Sequence, residues 1–213
     1  MPQLTHGGPA GFLAAAPVDD NVTAMYASDL ELQGYVANLT RIWAWSPEAL
    51  GALSFLLRLA TDMSGTDAHQ RALLTSVTAS SLGDSYCSLA FGLKLAMTGG
   101  DDVAVTALAG RPADLDPRDR LLAEWARRVT EDPSATTAED VDELRAAGYD
   151  DGQIFALTLF VALRMAFSTV NDALGAAPDA ELADRVPAAV RAAVTWGRAP
   201  QPVTVPTSSS AAE

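Results

Sequence analysis

Apolar and polar positions along the chain recur at helical spacing and are punctuated by clear start and stop signals. Ser46-Pro47-Glu48 supplies an N-cap, a first-turn proline and a first-turn acid, and predicts a helix to about Ala60. Thr66 or Asp67 opens a long segment that runs to Met97 and closes at Gly99-Gly100. Asp101 to Leu108 reads as a short helix ended by Gly110, and Asp116-Pro117 opens another that ends near Thr130, before Pro133. Thr137 to Asp140 and Asp150 to Gln153 both have the spacing of a capping box. The first starts a helix stopped by Gly148, and the second starts one that runs to Leu174, before Gly175. A last helix around 179–196 is interrupted at Pro187. No alternating, strand-type run competes with this pattern, so the chain is predicted to be an all-α helical bundle.

The ends read differently. Residues 1–20 are rich in Gly and Pro and predict a flexible N-terminus. Residues 199–213 offer too little apolar surface to offset ordering entropy and predict a disordered tail. Between them lies one domain, 21–198, in two helical halves of about 21–110 and 115–198. Two stretches in it are apolar on nearly every face, 155–167 and the middle of 71–97, as expected of helices at the centre of a bundle. The second is dense in small side chains from Ser76 to Gly92, which let neighbouring helices approach and leave room for a pocket.

Charge narrows the function. The chain has 27 acidic against 14 basic residues and a formal net charge of −13. Such a surface repels a phosphate backbone and an anionic membrane, so neither nucleic acid nor membrane is an expected partner. A single cysteine, Cys87, forbids an intrachain disulfide, and two histidines, His6 and His69, fall short of a four-ligand zinc site. No metal and no other cofactor is expected. No run approaches the roughly 20 apolar residues of a membrane span, and residues 1–17 carry no basic n-region, so a soluble cytoplasmic protein is expected.

The candidate chemistry sits on the two apolar stretches. Ser80, Asp84, Cys87, Ser88 and Phe91 recur at spacings of three and four and are therefore expected to line one stripe of the helix. Asp84 and Cys87 are then one turn apart, and a carboxylate beside a thiol raises the thiol pKa. Arg164, between Leu163 and Met165, is a cation in the most apolar helix, where an unpaired charge is costly. It is expected either to face a carboxylate, Asp84 being the most attractive, or to reach out to solvent or to a surface acid such as Glu143. Thr158 and Asn171 can complete a polar pocket from the second helix. Trp43 and Trp45 read as anchors of helices or of a subunit interface, and Tyr86 reads as packing, pointing off the Cys87 face.

Three stretches resemble a known family. Gly34-Tyr35-Val36-Ala37-Asn38-Leu39 followed by Ser46-Pro47-Glu48 is similar to the "GYVPNL … RPE" opening of peroxidase-related proteins of the alkylhydroperoxidase-like, carboxymuconolactone-decarboxylase family. Ser85-Tyr86-Cys87-Ser88-Leu89-Ala90-Phe91-Gly92 resembles its "xYCxxAHG" segment. The run from Asp116-Pro117 through Asp132-Pro133 and Asp150-Asp151-Gly152-Gln153 to Leu174-Gly175 resembles its second half in order and spacing. The likeness covers about residues 25–190 and implies an all-α fold, a homodimer or higher homo-oligomer, and a small-molecule site beside the cysteine-bearing helix.

The family's redox chemistry uses a Cys-x-x-Cys pair, a His four residues after the second Cys and a Glu about fifteen before it. By position Cys87 matches the second Cys, whereas Asp84 stands at the first, Phe91 at the His and Ala72 near the Glu. Where relatives often carry an Arg this chain has Thr169, with Arg164 nearby. His69 lies about five helical turns from Cys87. The resemblance therefore implies the scaffold without its two-cysteine cycle. The expectation is a repurposed enzyme acting on a small organic molecule by acid–base chemistry, such as elimination, isomerisation, decarboxylation or cyclisation in secondary metabolism. Asp84 and Cys87 are its candidate catalytic residues, and Arg164, Ser80, Ser88, Phe91 and Thr158 its candidate substrate contacts. A single-cysteine peroxidase or oxidoreductase, with a low-pKa accessible Cys87, and a non-catalytic binding or scaffold protein are the alternatives.

Overall fold

The computed structural model of the 213-residue chain describes residues 11–203. Among the described residues there are eleven α-helices and no β-strand, as the pattern predicts. They are α1 (Asp20–Gln33), α2 (Asn38–Trp43), α3 (Pro47–Ser64), α4 (Ala68–Leu82), α5 (Ser85–Gly99), α6 (Asp101–Leu108), α7 (Pro117–Glu131), α8 (Ala138–Ala146), α9 (Asp151–Ala173), α10 (Ala180–Arg185) and α11 (Ala188–Ala193).

The local start signals act as their chemistry requires. Ser46 caps α3 through its hydroxyl, and Asp116 caps α7 with two backbone N–H groups on one carboxylate oxygen. Asp67, Thr137 and Asp150 form complete capping boxes at the starts of α4, α8 and α9. The core is built on α4, α5 and α9, whose Leu73, Leu74, Val77, Leu95, Leu157 and Val161 are fully buried. α4 packs on α5, α7 and α9, and α3 lies along α9.

Three features differ from the sequence expectations. The long segment from 67 to 97 is two helices, because Gly83 takes a left-handed φ of 77° that favours glycine, and Asp84 then caps α5. Two helices precede Ser46: Asp19 caps α1 and Gly34 ends it, yet α1 buries only Val22 and Tyr26 and so shows little apolar periodicity. Residues 11–20 and 199–203, the described parts of the two ends, make contacts with the bundle. Phe12 donates its backbone N–H to Leu174, Ala16 is buried, and Gln201 exchanges backbone hydrogen bonds with Pro178 and Ala180 while Val203 is buried. His6 and residues 204–213 lie outside the described residues.

One helix stands out for its apolar length. α9 has 23 residues, and an 18-residue stretch within it, of mean hydropathy 1.7, is long and apolar enough to cross a membrane by length and composition. Its partners explain that composition: it packs on α3, α4, α7 and α8, and it carries buried Arg164 and Asn171. A helix at the centre of a bundle needs apolar residues on most of its faces, as a membrane span does.

Candidate functional site

A cavity of about 630 Å³ opens between α1, α2, α3, α5 and α9. Its floor is the face of α5 formed by two adjacent stripes, Tyr86-Ala90-Leu93-Met97 and Cys87-Phe91-Lys94. α9 contributes Arg164 and Phe167, one turn apart, and the residue before α10 contributes Asp179. Leu39, Leu50 and Leu57 close the apolar side from α2 and α3, and Asp29, Tyr35 and Arg185 stand among the remaining wall residues.

Of the seven residues picked out from the sequence, three line this cavity: Cys87, Phe91 and Arg164. The other four do not, and each has a local reason. Asp84 is wholly buried, accepting the backbone N–H of Cys87 at 2.9 Å as the α5 N-cap, with its second carboxylate oxygen without a partner among the described residues. Ser80 belongs to α4 and bonds back to the Val77 carbonyl at 3.0 Å. Thr158 bonds back to Ile154 at 2.8 Å, as hydroxyls in helix interiors do. Ser88 faces away from the cavity and accepts from Trp196 Nε1 at 3.4 Å. The single stripe expected of these residues is broken by the turn at Gly83, which puts Ser80 and Cys87 on different helices. Asn171 is also withdrawn, accepting from Trp43 Nε1 at 2.9 Å.

Arg164 fits neither expectation. It does not reach solvent, and no carboxylate lies within ion-pair distance among the described residues. Its guanidinium is 4.5 Å from the ring centre of Phe91 and 4.9 Å from that of Phe167, and Nη2 donates to Cys87 Sγ at 3.4 Å. Phe167 is itself stacked on Trp43, with ring centres 5.3 Å apart. Cys87 is only 2% exposed. Burial, and then the Asp84 carboxylate, push its thiol pKa far above the ordinary value, with Arg164 opposing them. Both influences keep the thiol protonated, the opposite of what a one-cysteine peroxidase needs.

The sequence reading of Tyr86 as packing is also corrected. Its hydroxyl donates to Asp179 Oδ2, and both residues line the cavity. Asp179 has no exposed surface, and its other oxygen accepts the Asn38 backbone N–H at 2.8 Å. Burial raises the Asp179 pKa although both hydrogen bonds pull it down. Burial and the adjacent carboxylate drive Tyr86 upward, and burial with the Asp179 charge takes Tyr35 to about 12. His69 stays away from the cavity, 2.7 Å from Asp119.

Behind α5 a second acidic pair forms. Burial and the charge of Asp84 raise the carboxyl of Asp172 to about 6, against the pull of Arg198 at 3.4 Å. A carboxyl that binds its proton more tightly in the folded state favours folding as pH falls from about 6 towards its unfolded value near 4. Asp172→Asn is thus expected to be more stable than the wild type at pH 7, with the difference shrinking by pH 4.5. Urea unfolding at the two pH values measures it, and a variant weakened at pH 7 would contradict the assignment.

No family model matches the sequence, and no curated relative does. Solved structures do. A peroxidase-related protein from Silicibacter sp. TM1040 superposes with a TM-score of 0.70 at 22% identity, over 84% of this chain and 97% of that one. A second, the alkylhydroperoxidase AhpD core of a peroxidase-related protein from Ralstonia eutropha JMP134, gives 0.66 at 20% identity over 82% and 95%. The debrominase Bmp8 gives 0.62 at 16% identity over 84% and 95%, and a cysteine-to-alanine variant of it has been solved with 2,3,4-tribromopyrrole. The fold is that of the alkylhydroperoxidase-like proteins, as the sequence resemblance implies.

Proposed function

We propose that the protein is an enzyme that moves a proton on a small, mainly apolar organic molecule held in this cavity. The observation that carries the proposal is the Tyr86–Asp179 pair in the cavity wall. The substrate gives a proton to Tyr86 Oη while the phenolic proton passes to Asp179 Oδ2, so that one proton moves from substrate to carboxylate. A carboxylate whose pKa is raised by burial is a stronger base than an ordinary aspartate, which suits it to this role. Arg164 and Lys94 supply fixed positive charge for the anion left behind. Elimination, isomerisation and cyclisation begin with such a transfer, and decarboxylation ends with its reverse.

The proposal keeps acid–base chemistry and places its base at Asp179 instead of Asp84. Cys87 serves in it as a neutral thiol that helps to shape the cavity. The debrominase neighbour supports a scaffold that accepts compact organic molecules. A homo-oligomer and a cytoplasmic setting, with secondary metabolism as the context, belong to the same proposal.

The test is hydrogen exchange on a panel of small carbonyl compounds, with and without a carboxylate, incubated with the protein in deuterium oxide. The wild type is expected to exchange an acidic C–H of at least one class, and Tyr86→Phe to do so far more slowly.

A further inference from the structure

Arg164 carries a permanent charge that no carboxylate among the described residues pairs. It is 7% exposed, in the middle of the most apolar helix. Burying an ion without a counter-ion is costly, and cation–π contacts offset only part of that cost. What Arg164 does have is two aromatic faces and a thiol sulfur, a weak acceptor. Its Nε is buried without any partner. All three of those partners line the cavity, as Arg164 itself does.

The rest of the lining points the same way. Lys94, the one lysine of the chain, sits 4.3 Å from the centre of the Phe91 ring that also receives Arg164. The charged residues of the wall are Lys94, Arg164 and Arg185 against Asp29 and Asp179, in a chain whose net charge is −13. Both carboxylates are engaged: Asp179 by Tyr86 and Asn38, Asp29 by the Ala37 backbone N–H at 2.9 Å. An acidic protein has concentrated unmatched positive charge in its one large apolar-walled cavity among those described.

We infer that the ligand of this cavity is a small organic monocarboxylate, its carboxylate held by Arg164 and its apolar body lying along Leu39, Leu57, Leu93 and Met97. This rests on the cavity being a small-molecule site, as proposed above, but not on the proton transfer. One negative group satisfies the guanidinium donors that the protein leaves open. A second at the far end of the molecule would meet Asp29 or Asp179.

Titration calorimetry with naphthalene-2-carboxylate, its uncharged carboxamide and naphthalene-2,6-dicarboxylate tests the assignment. The wild type is expected to prefer the monocarboxylate over both others by about tenfold or more, the scale of a charge-assisted hydrogen bond. Arg164→Met should lose that preference while melting at or above the wild-type temperature, because it removes an unpaired buried charge. Lys94→Met, at an exposed residue of the wall, should weaken it by a smaller factor. Equal binding of carboxylate and carboxamide overturns the inference and leaves the small-molecule site standing. No binding of any of the three compounds overturns both. An Arg164→Met protein that is destabilised and keeps the preference also overturns it, since Arg164 would then be structural.

Discussion

Asp179→Ala is expected to lower the unfolding free energy by about 3 kcal/mol, because two buried donors, each costing about 1–3 kcal/mol when orphaned, lose their acceptor. These are the Asn38 backbone N–H and the Tyr86 hydroxyl, and neither has another partner in reach. The loss is not larger, because burial already raises the carboxyl pKa and the variant is relieved of a desolvated charge. Asp179 also ties together distant parts of the chain: α2, α5 and the segment leading into α10 meet on one carboxylate. Asp179→Asn keeps one acceptor oxygen and should fall between alanine and wild type. Urea unfolding with an unchanged slope measures the effect. A loss below about 1 kcal/mol for the alanine variant would mean that both donors find water, and that the pair is not sealed in the cavity wall.

Asp84→Asn is expected to bring the Cys87 thiol pKa down by at least about one unit, which is about tenfold in thiolate at a fixed pH below it. After burial, the Asp84 charge is the largest influence holding that proton on. Asparagine is as good an N-cap as aspartate, so α5 keeps its start and the charge alone is removed. Alkylation by iodoacetamide, followed by mass spectrometry across pH 7 to 10, reads the change. The wild-type thiol should be slow throughout, and Asp84→Asn about tenfold faster at pH 8. Unchanged rates would show that desolvation alone controls the sulfur. A wild type already fast at pH 7 would restore the one-cysteine redox alternative.

What could be read from the sequence divides by range. Helix caps were legible because a cap is a local event: Ser46, Asp67, Asp116, Thr137 and Asp150 all act within three residues of themselves. The Gly83-Asp84 break is written in the same terms. It was hidden because apolar and small residues continue on both sides, so the helical period runs across it. That one omission misplaced Ser80 and gave Asp84 a face on the pocket that it does not have.

The chemistry was legible only in part. Arg164 stood out as a charge in an apolar helix, and Phe167 was one turn away on the same face, but Phe91 and the Cys87 sulfur come from α5, 77 residues earlier for the cysteine. Asp179 carried no local signal at all, since its side-chain partners lie 141 and 93 residues away in sequence. Tyr86 is adjacent to Cys87, and residues one apart diverge by about 100° on a helix, so its sequence position points it off the Cys87 face. The cavity is wide enough to take both stripes of α5, so that divergence does not remove Tyr86 from the wall.

Hydrogen exchange by the wild type and Tyr86→Phe, compared at matched stability on whichever carbonyl compound the wild type turns over, tests the proton path most directly. Losing the phenolic oxygen removes the atom that receives the proton, so the rate should fall by about a hundredfold, the lower range for general acid–base catalysis, with the fold intact. Equal rates in the two proteins would contradict the claim that the proton passes through Tyr86 to Asp179.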